Sequence, residues 1–204
     1  GEGHNFYQFQ KSETGFFSGK YFIGVAVLQM PFFLMAHGLA QWHGEADGFS
    51  SIYQKGIAYG AIVWVFILLI FLRRFLLSYF KDQVVALGLV LGLLATNAVQ
   101  YIAVEGGQSH AWIFPLYVYL MVLSASWHAH KTAGKSIAIG AIVGLGILCR
   151  PTEGVMLFIP LLWGFQRTTF VFFLKENRYH FLLAGIAMSV VLLPQFVYWK
   201  YTTN

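Results

Sequence analysis

The chain has 204 residues, of which 58% are hydrophobic, 18% aromatic and only 10% charged. Soluble domains average about 25% charged residues, so a water-facing shell around a core of this size cannot be built. The formal net charge of +5 is spread over short loops, which points away from nucleic acid and toward the positive-inside arrangement of membrane proteins.

The chain therefore reads as all-α, a polytopic transmembrane helical bundle of about six to seven apolar segments. These lie at 21–40, 57–72, 84–104, 111–127, 136–149, 154–165 and 181–199. Runs such as Val63-Trp64-Val65-Phe66-Ile67-Leu68 do not alternate, so they are not strands of an outer-membrane barrel. In the first segment Met30-Pro31-Phe32-Phe33 interrupts the pattern, and His37, Gln41, Trp42 and His43 make its end polar. It either spans the bilayer or lies on the outer surface as a juxtamembrane helix. A crossing helix needs about 20 residues. The fifth and sixth segments fall short, and read as half-helices or as segments lengthened by polar neighbours in a protein-lined cavity. No internal repeat or low-complexity linker is visible, so 1–204 is expected to be a single transmembrane domain. The polar opening Gly1-Glu2-Gly3-His4-Asn5 and the end at Lys200-Tyr201-Thr202-Thr203-Asn204 read as cuts in a longer protein. Residues 1–20 are cytoplasmic if the first segment spans, and the tail of an outer-face loop if it lies flat. The single Cys149 excludes an intrachain disulfide.

Charge sorts the loops. Arg73, Arg74 and Lys81 follow the second segment, Lys131 and Lys135 the fourth, and Arg167, Lys175 and Arg178 the sixth. These basic loops go to the cytoplasm. Glu45, Asp47, Glu105, His110, Arg150 and Glu153 then share the opposite face.

That face holds the candidate chemistry. An Arg at the bilayer centre costs about 2.5–3.5 kcal/mol on insertion scales, so Arg150 belongs at a membrane surface or beside a polar cavity. Its planar, permanently charged guanidinium suits phosphate or carboxylate. Glu153 is within reach if a helix continues through Pro151, and an Arg150–Glu153 pair pinning two helix ends is an equal alternative. Asn97 and Tyr101, one helical turn apart beside Thr96, can hydrogen-bond substrate hydroxyls or glue helices together. Glu105 and His110 sit in the next loop, where His110 can meet a phosphate, move a proton or ligate a metal. Glu45 and Asp47 could hold a divalent cation, although a turn made by Asp47-Gly48 explains them as well. His128 and His130 have close spacing with no third ligand. No metal ligand set is assigned. Gly140 and Gly144 permit close helix packing.

Read together, Lys20-Tyr21-Phe22-Ile23-Gly24-Val25, Gln29-Met30-Pro31-Phe32-Phe33-Leu34-Met35-Ala36-His37 and Ala46-Asp47-Gly48-Phe49-Ser50-Ser51-Ile52-Tyr53-Gln54 resemble bacterial membrane glycosyltransferases of the GT-C type. That superfamily includes the protein mannosyltransferases and aminoarabinose transferases. Thr96-Asn97 through Tyr101, Ser109-His110 and Arg150-Pro151-Thr152 continue the likeness over most of the chain. The resemblance implies transfer of a sugar from a polyprenyl-phosphate carrier to an acceptor on the periplasmic face of the bacterial inner membrane. The carrier tail would lie among the helices, with membrane lipid around them. Arg150 would bind the carrier phosphate, with His110, Glu153, Glu105, Asn97 and Tyr101 as further substrate contacts. The catalytic carboxylate is not identified: the family's outer-loop base would fall before residues 1–20, where Glu2 and Glu13 are the remaining carboxylates. A transporter or flippase for an anionic or lipid-linked substrate, or a non-catalytic subunit of a membrane assembly, would use the same features differently.

Overall fold

The computed structural model describes residues 9–11, 15, 17–19, 21–44, 46–163 and 169–203. The described residues are helical apart from a short antiparallel ribbon, β1 (Phe9–Lys11) paired with β2 (Phe17–Gly19). The helices are α1 (Gly24–His43), α2 (Ser51–Leu76), α3 (Asp82–Leu94), α4 (Ser109–Ala129), α5 (Ala133–Cys149), α6 (Phe158–Leu162), α7 (Phe170–Glu176) and α8 (Arg178–Thr203). A π-helical turn at Gln100–Val104 follows α3, and a 3-10 stretch at Pro151–Leu157 precedes α6.

Four helices, α1, α2, α4 and α8, are long and apolar enough to cross a membrane, while Asp82–Leu94, Ala133–Cys149 and Pro151–Leu162 are apolar but shorter. This is compatible with a membrane protein. Four spans are fewer than the six to seven apolar segments expected, and two of those segments differ further. Pro31 lies inside α1 without interrupting it, because a helix among apolar neighbours tolerates one missing N–H when freed groups are satisfied locally. The expected segment 84–104 is broken: α3 ends at Leu94, and Ala95–Asn97 leave the helix. At the break the Thr96 hydroxyl donates to the Gly92 carbonyl at 2.6 Å and accepts from the Ala98 amide at 3.2 Å. The side chain stands in for the lost ladder on both sides.

The chain divides into two compact units, Val25–Ala129 and a second made of Gly1–Gly24 with His130–Asn204.

In the first unit α1 runs antiparallel to α2 where they meet. Ala36 and Ala40 pack on Tyr53, and Phe32 lies against Gly60. Helices α2 and α4 run parallel, since Trp64 Nε1 donates to the Trp112 carbonyl at 3.4 Å and Phe71 meets Tyr119 at 5.5 Å between ring centroids. The intervening α3 and π turn make the return. Arg73 at the end of α2 pairs with Asp82 in the first turn of α3. Both partners are exposed, so the pair contributes at most about 1 kcal/mol, and its effect is to fix the turn between the helices.

In the second unit α5 and α8 also run parallel. The Ser136 hydroxyl meets His180 Nδ1 at 2.8 Å, Gly140 lies against the Ala184 backbone, and Gly144 faces Met188 and Val191. The two helices begin at one end, near Lys131, Lys135, Lys175 and Arg178, and finish at the other, near Arg150. The two basic loops of this unit therefore share an end, as charge alternation required. The 3-10 stretch folds back along α5, with Met156 against Gly146. The described part of the 1–20 tail reaches the last turns of α8, where the Gly19 amide donates to the Tyr198 hydroxyl at 3.3 Å, and the residues after it follow. The Ile23 amide donates to Gln195 Oε1 at 3.0 Å, Phe22 packs edge-on against Trp199 at 4.9 Å, and Gly24 abuts the Leu148–Cys149 backbone.

Gly140 has no room for a Cβ, which would collide with the Ala184 carbonyl, whereas Gly185 has open space around it. Gly140→Ala is expected to lower stability by about 1–3 kcal/mol through this overpacking, against a helix-propensity gain of about 1 kcal/mol. Gly185→Ala is expected to be neutral or stabilising. Thermal unfolding of both variants in detergent checks the contrast; equal melting temperatures would contradict the parallel contact.

Candidate functional site

The described residues of the first unit enclose a cavity of about 660 Å³ between α2, α3 and the start of α4. Its walls are apolar for most of their length, with Leu69, Leu72 and Leu76 of α2 facing Leu89 and Leu93 of α3. Gly88 and Gly92, one turn apart on α3, line it with nothing within 4 Å of where a Cβ would stand. The cavity exists because this glycine pair has no helix seated on it.

One end of the cavity is polar. Thr96, Asn97, Tyr101 and His110 line it together. The Asn97 carbonyl accepts from the Tyr101 amide at 3.1 Å, so the two are one turn apart as expected. The π turn follows at once, its ring closed by the Glu105 amide on the Gln100 carbonyl at 2.9 Å. It presents the Tyr101 ring to His110, with centroids 4.4 Å apart and 34° between planes. A π turn within a helical segment is a frequent mark of a functional position.

The loop before His110 is firmly held. Trp112 Nε1 donates to the Gly106 carbonyl at 2.8 Å, and Gln29 Nε2 donates to the Gly107 carbonyl at 3.0 Å. Trp112 is fully buried. Gly106 lies beside Ala58 and Ala61, so the loop sits about 10–15 Å along α2 from its start at Ser51. His110, like Thr96 and Asn97, is exposed at this end of the cavity. Glu105 is half-buried, accepts from Gln100 Nε2 at 3.1 Å, and stands next to the polar end without lining it.

Arg150 and Glu153 belong to the other unit. The residue before a proline is driven out of the helical region, and Arg150 is accordingly extended, at φ −151° and ψ 129°. This ends α5 at Cys149. The condition left open by the sequence, a helix continuing from Arg150 to Glu153, is not met by α5. Pro151 starts a seven-residue 3-10 helix instead, longer than the three or four residues at which such helices usually stop. The Glu153 amide donates to the Arg150 carbonyl at 2.9 Å, and both side chains are half-buried.

The turn at Asp47-Gly48 forms as read from sequence. Asp47 Oδ1 accepts from the Phe49 and Ser50 amides, each at 2.8 Å, and Gly48 takes φ +81°. Those amides hold the Asp47 carboxyl below its ordinary value. Glu45, Glu2, Glu13 and Arg167 lie outside the described residues. Among the described residues, no three His, Cys, Asp or Glu side chains are grouped to hold a metal ion. His128 stands edge-on to Trp127 at 4.8 Å, and His130 is exposed.

The cavity's apolar wall was not legible in advance. The two glycines of α3 have the same spacing as Gly140 and Gly144, and only the missing partner helix distinguishes them. No protein-family model matches the chain, and no curated protein or solved structure matches it.

Because the folded carboxyl of Asp47 is depressed, its contribution to the turn is present above its unfolded value and is lost as pH falls through the folded one. The amide resonances of Phe49 and Ser50 are expected to titrate together below the ordinary Asp range. Asp47→Ala should remove that titration, and an unshifted midpoint would contradict the turn geometry.

Proposed function

We propose that the chain is an integral-membrane glycosyltransferase of the GT-C type, moving a sugar from a polyprenyl-phosphate carrier to an acceptor on the periplasmic face. The observation that carries this reading is the amphipathic cavity: a long Leu-walled trough ending at Asn97, Tyr101 and His110. From the level of His110 to Leu76 the trough runs about 20 Å along α2. A lipid-linked substrate has that same division, an apolar tail with a polar head. Single-chain lipids gain about 0.8 kcal/mol per buried CH₂, so the trough supplies affinity while the polar end supplies orientation.

In this reading six to seven apolar segments belong to the inner membrane, the first spanning it or lying on its outer surface, with the basic loops cytoplasmic. The reaction is an inverting displacement. The acceptor oxygen forms a bond to the anomeric carbon, the bond from that carbon to the phosphate oxygen breaks, and the polyprenyl phosphate leaves. A carboxylate takes the acceptor proton, and no residue of this chain is assigned that role. The resemblance assigns Arg150, with Glu153, to the leaving phosphate. The cavity of the first unit supplies His110, Asn97 and Tyr101 for the head group, with Glu105 beside them.

A second reading is a transporter or flippase of a lipid-linked anion. One observation favours it: the return between α2 and α4 is broken at Ala95–Asn97, where Thr96 and Asn97 line the cavity. Discontinuous helices at a polar cavity are a mark of transporter sites.

Binding of a polyprenyl phosphate to the full chain in detergent tests the cavity. Gly92→Leu places a side chain in the trough without clashing, and is expected to weaken binding about tenfold or more, the scale of one well-buried apolar group. Unchanged binding would sink the assignment. Arg150→Ala should abolish phosphate-dependent binding while leaving expression near normal. Proteoliposome assays then separate the two readings: sugar transfer to an acceptor supports the enzyme, and carrier movement between leaflets without transfer supports the flippase.

A further inference from the structure

We propose that the end of the second unit where α5 and α8 begin is a docking surface for anionic phospholipid headgroups, with α7 lying in the headgroup layer. The inference does not depend on the enzyme reading. Helix α7 has only seven residues, Phe-Val-Phe-Phe-Leu-Lys-Glu, too few to be stable in water alone. Its inner side is fastened. Phe173 packs edge-on against Phe181 at 5.6 Å, and the buried Asn177 donates from Nδ2 to the Phe173 carbonyl at 2.8 Å. Its outer side is apolar and uncovered, with Val171 63% and Phe172 68% exposed.

The surroundings of that face identify what covers it. Lys131 Nζ stands over the Phe173 ring at 5.8 Å, on the α5 side of α7. Lys175 is one turn on from Val171, and Arg178 opens α8; all three cations are exposed. Lys135, half-buried, donates to the His130 carbonyl at 2.8 Å. Glu176 is the acidic side chain set among them. The parallel course of α5 and α8 adds the positive ends of two helix dipoles at this same end. Both helices turn apolar within a few residues of these cations, so the water–hydrocarbon boundary of a bilayer around them passes through α7. A short helix with aromatic side chains on one face and cations beside it is an interfacial anchor. A neutral surface would cover Val171 and Phe172 but offer nothing to the exposed Lys175 and Arg178, whereas anionic headgroups suit both.

Lipid retention by the full chain tests this, using native mass spectrometry with phosphatidylglycerol against phosphatidylcholine of the same acyl chains. Phosphatidylglycerol should be held more tightly, and the preference should shrink as salt rises. Replacing three cations together, Lys131→Gln, Lys175→Gln and Arg178→Gln, should weaken phosphatidylglycerol about hundredfold, at roughly fivefold per cation. Glu176→Gln, which removes a like charge from an exposed site and does not threaten folding, should tighten it. Equal retention of the two lipids, a triple variant that holds phosphatidylglycerol like the parent, or no gain from Glu176→Gln would overturn the proposal. So would displacement of the lipid by inorganic phosphate at equal concentration, which would assign the cations to a free anion.

Discussion

The approach of α5 to α8 is the contact on which the second unit depends. Apolar helices in lipid gain little from burying apolar surface against each other, so close packing must hold them. Gly140 and Gly144 supply it by letting α5 meet the α8 backbone at Ala184 and Met188. Once the helices are held parallel, the rest follows from connectivity. The chain must return between them, the basic loops must share an end, and Arg150 must sit at the other. The Ser136–His180 hydrogen bond fixes the register of the pair at its basic end.

The first unit shows the same motif with its partner missing. Gly88 and Gly92 have the spacing that draws two helices together, yet they face empty volume. Helix α3 buries only Val85; Leu89 and Leu93 line the cavity, and Leu87, Val90, Leu91 and Leu94 are exposed. A loosely seated helix with a smooth glycine face makes a trough that a flexible chain can occupy without displacing protein side chains. The polar end is built in the opposite way, with the loop at Gly106 and Gly107 tied by buried Trp112 and by Gln29.

Local chemistry was readable from the sequence, and absence of packing was not. The Asp47-Gly48 turn was visible because carboxylate, glycine and following amides are adjacent in the chain. The end of α5 is equally local, since Pro151 dictates the conformation of Arg150, although the sequence left open a helix continuing to Glu153. Helices α2, α4 and α8 announced themselves as long apolar runs. The break at Ala95–Asn97 did not, because Thr96 and Asn97 fit a polar helix face as well as a gap. Asn97, Tyr101 and His110 were singled out one by one as hydrogen-bonding or titratable groups, and their meeting at one cavity is a tertiary fact that spacing does not contain.

The π turn at Gln100–Val104 has a consequence for how this site tolerates change. Closing a ring on the fifth residue instead of the fourth accommodates one residue more than an ordinary turn does. The wide ring absorbs that residue locally, at the place where the Tyr101 ring meets His110. Loss of a single residue between Gln100 and Val104 would let the segment close as a regular helix and remove the turn that presents Tyr101 to His110. Substitutions here are mild by comparison, so the segment should vary in composition but keep its length.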